Sequence, residues 1–244
     1  MGGKRDEVAR WMRGRDVLIP FLRQEDLPVA SECARSFAFD NSAYTAWKQG
    51  ITVNWSSYMD WVEAYARHPG FAWAIIPDVI DGSERDNDAM ISKWYGRFVP
   101  PHVMGVPVWH LHERTERLQY LASRHHMVAL GSSGEYSTVG TYSWWKRMNE
   151  AMDAVCDADG NPMCKLHGLR MLDPEIFTVL PLASADSTSV ARNSALTSRF
   201  GTYCPPTLCQ RMASIADRIE IHNSAGCWKR RAKQLVLTEI SDSD

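Results

Sequence analysis

The sequence predicts a parallel α/β fold, closed as a single (β/α)8 TIM-type barrel that takes in residues 1–244 as one domain. Three observations carry this expectation. Short apolar, β-rich runs alternate with amphipathic helical stretches, the signature of βα units. The alternation repeats seven or eight times at a short period, with nothing that marks a linker or a repeat. No G-x-G-x-x-G turn follows the first strand, which disfavours an open dinucleotide-binding sheet.

The strands are expected, in order, at D-V-L-I-P-F (16 to 21), S-F-A-F-D (36 to 40), F-A-W-A-I-I-P-D (71 to 78), G-V-P-V-W-H (105 to 110), M-V-A-L-G (127 to 131), M-C-K-L-H-G (163 to 168) and F-T-V-L-P-L-A-S-A-D (177 to 186). Helical patterns separate most of them, among them W-S-S-Y-M-D-W-V-E-A-Y-A (55 to 66) and E-R-T-E-R-L-Q-Y-L-A (113 to 122). A last helical stretch from about 208 to 221 is expected to pack on the outside.

Composition narrows the class. With 45% hydrophobic and 23% charged residues, 244 residues can bury one large core, which excludes a disordered or fibrous chain. No apolar run reaches the roughly 18 residues of a membrane span, and the start M-G-G-K-R-D-E-V-A-R lacks the apolar centre of a secretory signal, so a cytoplasmic protein is expected. Six scattered cysteines do not make a disulfide framework. A net charge of −2 argues against non-specific coating of nucleic acid but leaves room for a local grip. Candidate basic patches are the run from Trp228 to Lys233 and the N-terminal Lys4, Arg5, Arg10, Arg13 and Arg15, although such runs are more often solvated surface. Ten tryptophans are many for this length; some could stack on bases, but most must be core or interface residues.

In this register Asp40, Asp78, His110, the turn Gly131-Ser132-Ser133-Gly134, His167 and Asp186 all fall at or just past C-terminal strand ends, where parallel barrels present catalytic groups. Two carboxylates at such a mouth suit retaining glycosyl transfer, one attacking the anomeric carbon while the other moves protons.

The motifs F-D-N-S-A-Y-T around Asp40 and L-P-L-A-S-A-D-S-T-S-V-A-R around Asp186 resemble the tRNA-guanine transglycosylase superfamily, most closely its short bacterial and phage relatives that exchange guanine for a 7-deazaguanine in DNA. The resemblance runs from about Phe37 to Arg192. It implies that Asp186, 18 residues beyond Gly168 of K-L-H-G-L, is the covalent nucleophile, that Asp40 transfers protons, and that Asp78 of I-I-P-D recognises the base. Where the family reads V-Q-G, this chain has Trp109 and His110, and the family's G-G-L turn becomes Gly131-Ser132-Ser133-Gly134. These positions, with His167 and Gly168, are the expected substrate-binding residues; Trp109 and His110 are expected to face the substituent at position 7. The family's C-x-C-x-x-C zinc motif is absent in that form. Cys204, Cys209, His222 and Cys227 offer C-x4-C-x12-H-x4-C as a candidate structural zinc site.

The resemblance implies no catalytic cofactor. The expected partners are DNA, or alternatively tRNA, and a free 7-deazaguanine base, with a homodimer allowed and no membrane. A phage-encoded enzyme would work in the host cytoplasm. A different class shares some residues: His110, His112, His167 and Asp186 echo barrel hydrolases whose imidazoles and carboxylate hold a water-activating metal. A non-catalytic nucleic-acid-binding barrel would need only the basic patches.

Overall fold

The computed structural model describes residues 5–98 and 103–230. It shows an α/β fold with two four-stranded sheets. The first holds β1 (Asp16–Pro20), β2 (Ser36–Asp40), β3 (Phe71–Ile75) and β4 (Gly105–Val106) in sequence order, every neighbouring pair parallel. The second holds β5 (Val108–His110), β6 (Met127–Gly131), β7 (Lys165–Gly168) and β8 (Ser184–Ala185), also in sequence order, with β6–β7 and β7–β8 parallel. The chain divides into two compact units. One comprises residues up to Val108 together with Asp186–Ile221, and the other comprises Trp109–Ala185 together with the residues from His222 onward.

In the first unit, β1 and β2 pair from Asp16 against Ser36 to Pro20 against Asp40, so both strands finish level. Phe37, Ala38 and Phe39 of β2 are all buried, as expected of a parallel strand covered on both faces. Phe39 stacks on Trp61 of α4 (Trp55–Tyr65) with ring centroids 3.8 Å apart, and Phe37 meets Tyr65 and Phe71 edge-on. Asn54 starts α4 by accepting hydrogen bonds from the backbone N–H groups of Ser56 and Ser57. Ser83 and Asp86 close a reciprocal cap on α5 (Glu84–Arg97), which buries Trp94. The last helix among the described residues, α10 (Leu208–Glu220), packs on α9 (Ser189–Ser194) and on α1 (Arg5–Met12), which also packs on α2 (Leu27–Cys33). Arg15 is ion-paired with Asp217 and Glu220 of α10, which removes one cation from the expected N-terminal basic patch. Lys4 and the basic run beyond Arg230 lie outside the described residues.

In the second unit, all five residues of β6 are buried, packed with Leu118 and Leu121 of α6 (Thr115–Arg124) and with Trp144, Met148 and Met152 of α7 (Tyr142–Val155) in the core. Thr141 caps α7 through the N–H of Trp144.

Three expected strands are redrawn. The run 105 to 110 is two strands in different sheets, separated by Pro107, which has no N–H to continue a ladder. The run 71 to 78 stops at Ile75, so that Asp78 lies in the loop beyond the strand. The run 177 to 186 is not a continuous strand. Asp173 accepts the N–H of Glu175 and Pro174 starts the short helix α8 (Pro174–Phe177), which takes Phe177, and only Ser184–Ala185 pair as β8. Two prolines, Pro174 and Pro181, make the helix start and the turn locally cheaper than an extended ladder.

Gly105 is a position where the fold requires glycine. A Cβ there would fall 2.3 Å from Nε1 of the buried Trp94. Gly105→Ala is therefore expected to destabilise the protein by about 1–3 kcal/mol through overpacking, read as a fall in the urea midpoint with unchanged slope. A midpoint equal to wild type would mean that Trp94 repacks freely.

Candidate active site

The end of β2 builds the first part of the site. Asp40 closes the strand, and the chain then turns through Asn41 and Ser42 into α3 (Ala43–Gln49), with Ser42 in the left-handed region at φ 63°. Ser42 donates its backbone N–H to the Asp40 carboxylate, and its Oγ accepts the N–H of Leu22 at 3.2 Å. The carbonyl of Asp40 accepts the N–H of Phe21 at 2.9 Å, so the segment after β1 is tied to the same turn. Asn41, buried beneath it, uses both ends of its amide. Nδ2 donates to the Ile76 carbonyl at 2.8 Å and to Asp78 Oδ1 at 2.7 Å, while Oδ1 accepts the N–H of Ala43 at 2.8 Å. One side chain thus fixes the loop after β2 to the loop after β3.

The electrostatics follow from this crowding. Burial, the charge of Asp186 and then the charge of Asp78 push the Asp40 carboxyl up to about 7, against the partly offsetting Ser42 hydrogen bond. Tyr58 of α4, wholly buried, donates its hydroxyl to the Ile75 carbonyl at 2.7 Å. Its ionisation is pushed well above the ordinary phenol range by burial and then by the charges of Asp40 and Asp78. Asp40, Asp78 and Asp186 therefore form one interacting carboxylate group within the first unit. The loop after Asp186 is set by Ser187 Oγ, which accepts the N–H of Ser189 at 3.0 Å.

The second unit holds the remaining expected residues. His112 Nδ1 and Ser133 Oγ are hydrogen-bonded at 3.0 Å, and the rings of His112 and His110 stack with centroids 5.5 Å apart. His167 Nδ1 and Ser184 Oγ are bonded at 2.8 Å, joining β7 to β8. The turn after β6 is anchored by Ser132, whose Oγ accepts Trp144 Nε1 at 2.9 Å and whose carbonyl accepts the Arg170 guanidinium. Gly131 accepts the N–H of Leu111 through its carbonyl at 2.9 Å, and Gly134 turns with φ 57°. At Gly168 a Cβ would meet Leu182 and Met171 at 2.8 Å. The loop after β5 is pinned by a buried ion pair, Arg117 to Glu113 Oε2 at 2.6 Å, with the same oxygen accepting the N–H of His110 at 3.0 Å.

Trp109 departs from its expected position in a pocket wall. It is wholly buried, its Nε1 donates to the Arg114 carbonyl at 3.0 Å, and the Arg147 guanidinium lies 5.5 Å above its ring. It is a packing residue of the second unit. The expected zinc ligands are not gathered either: among the described residues no three His, Cys, Asp or Glu side chains are placed to hold a metal ion. Cys209 donates its thiol to the Glu7 carbonyl at 3.0 Å, and His222 is exposed.

Asn41 and Tyr58 are the site residues that sequence reasoning missed. Asn41 had a local signal, an amide next to the motif aspartate in F-D-N-S. Tyr58 had none, since it reaches the site from a helix pattern that reads as ordinary core. Compared with protein-family models and with curated protein sequences, the chain matches none.

The raised Asp40 carboxyl has a consequence for stability. Its ordinary value is 3.8, so between about pH 4 and pH 7 the folded state holds a proton that the unfolded state has released. Stability from this group is therefore present at low pH and lost as pH rises through about 7. Asp40→Asn, which carries no charge at any pH, is expected to gain on wild type over that window by about 1–3 kcal/mol, the lost carboxylate hydrogen bond from the Ser42 N–H offsetting part of the shift. Urea unfolding at a series of pH values checks this. A stability difference independent of pH would mean that folding does not shift the Asp40 carboxyl.

Proposed function

We propose that this protein is a base-exchange transglycosylase that replaces guanine in DNA by a free 7-deazaguanine, through a covalent glycosyl–aspartate intermediate. In this reading the eight strands close as a single (β/α)8 barrel over the chain, and the enzyme works in the cytoplasm without a catalytic cofactor. The observation that carries it is the gathering of carboxylates at one place: Asp40, pushed up to about 7 by burial and by the charges of Asp186 and Asp78, shares the site with both. Two carboxylates within reach of one anomeric carbon can supply one acid–base and one nucleophile.

The carboxylate of Asp186 attacks C1′ of the target deoxyguanosine, and the bond to N9 breaks with its electron pair going to guanine. Asp40, protonated in part near neutrality, donates a proton to the departing base. The incoming base gives its N9 proton to the Asp40 carboxylate, its nitrogen attacks C1′, and the bond to Asp186 breaks. Asp78 accepts from the N1–H and 2-amino groups of the guanine-like edge, and Asn41 holds it for that task through the 2.7 Å hydrogen bond. The target nucleotide must leave its stack for this chemistry.

Asp186→Asn is expected to abolish incorporation of radiolabelled guanine into DNA. Asp40→Asn is expected to slow it by about 10²- to 10⁴-fold, while a covalent adduct on Asp186 can still be captured. Normal turnover by Asp186→Asn would remove the covalent step. Incorporation into tRNA but not DNA would move the substrate to the alternative polymer.

A further inference from the structure

All ten tryptophans lie among the described residues, and only Trp47 is exposed, at 47%. Its position is not arbitrary. It stands on α3, the helix that starts directly after the Asp40–Asn41–Ser42 turn. Ala43 and Ala46 bury one side of α3 and leave Trp47 and Lys48 on the solvent side, with the Trp47 ring 5.9 Å from that of Tyr44. The bonds from Phe21 N–H to the Asp40 carbonyl and from Leu22 N–H to Ser42 Oγ bring Leu22 and Arg23 beside the same turn. Leu22 and Ile51 are also exposed, at 38% and 44%. Arg23 and Lys48 are exposed, and neither makes an ion pair among the described residues.

An exposed indole, with Lys48 next to it on α3 and Arg23 by the turn from which that helix starts, has the composition of a single-strand stacking platform: a flat π-face for a base and cations for phosphates. Glu25 and Asp26 in the turn after Arg23 weaken the local positive field, so the ring supplies more of the grip than the charges do. Resting on the base-exchange reading above, we propose that Trp47, with Arg23 and Lys48, stacks an unpaired base beside the nucleotide undergoing exchange, so that the polymer is engaged as a single strand or a locally opened duplex.

The test is fluorescence anisotropy of the full chain with fluorescein-labelled oligothymidylate, which contains no guanine and so does not depend on Asp78. Wild type is expected to bind the single strand more tightly than a hairpin duplex of equal length. Trp47→Ala is expected to weaken single-strand binding by about 10-fold or more, and Trp47→Phe to retain most of it. Arg23→Ala and Lys48→Ala are each expected to flatten the dependence of log Kd on log salt by about 0.7. Unchanged thermal melting of Trp47→Ala keeps the comparison clean. Binding by Trp47→Ala equal to wild type overturns the proposal, as does no single-strand binding by wild type. A wild-type dimer that Trp47→Ala splits without weakening oligothymidylate binding also overturns it, since the ring would then face a second copy. The two readings fail separately. Loss of Trp47-dependent binding with Asp186-dependent exchange intact removes the platform alone, whereas persistent exchange by Asp186→Asn with Trp47-dependent binding intact removes the covalent mechanism alone.

Discussion

Asp40, Asp78 and Asp186 share one end of the first unit, and the cost of holding three carboxylates there shapes what surrounds them. Desolvation and the two neighbouring charges disfavour ionisation of Asp40, and the molecule answers in two ways. Asp40 takes up a proton far more readily than an ordinary aspartate, its carboxyl pushed up to about 7. Asp78 is held by the Asn41 amide, which also grips the Ile76 carbonyl. That arrangement depends on the β1–β2 register, because Pro20 level with Asp40 lets Phe21 and Leu22 bond back to the turn. It depends as well on the stacked Phe39 and Trp61, which fix β2 against α4 and with it the Tyr58 hydroxyl below the carboxylates. A fold selected for stability alone would not gather these charges, and the core beneath them offsets the cost.

The second unit ties down the loops at its strand ends in a different way. It does so with polar side chains bonded in pairs: His112 with Ser133, His167 with Ser184, Trp144 with Ser132. The Glu113–Arg117 pair is the most demanding, since both ions are almost entirely out of water. Such a pair persists when further hydrogen bonds satisfy it, and the N–H of His110 supplies one. Losing one partner would leave a buried charge uncompensated, which makes the pair costly to break.

The tryptophans show how burial sorts one residue type into roles. Trp94 is locked against Gly105, where no Cβ would fit, and Trp144 has its N–H satisfied by Ser132. Trp109 lies under Arg147. Trp47 alone of the ten is exposed, on the helix that starts after the Asp40–Ser42 turn.

The sequence by itself determined the α/β class and the position of most strands. Continuous apolar runs such as S-F-A-F-D and M-V-A-L-G carry their own signal wherever both faces are covered, and Asp40 stands out because it closes such a run ahead of small residues. Only the tertiary structure decided the rest. Pro107 divides one run between two sheets, and the Asp173 cap with Pro174 turns part of another into a helix, since hydrogen-bond accounting outweighs apolar pattern there. Trp109 and Trp47 look alike in a sequence, yet one is sealed in a core and the other faces water, because exposure is a property of what packs from distant segments. Asn41 and Tyr58 acquire their roles in the same way. Their partners, Asp78 and the Ile75 carbonyl, are remote in the chain and become neighbours only when β2, β3 and α4 come together.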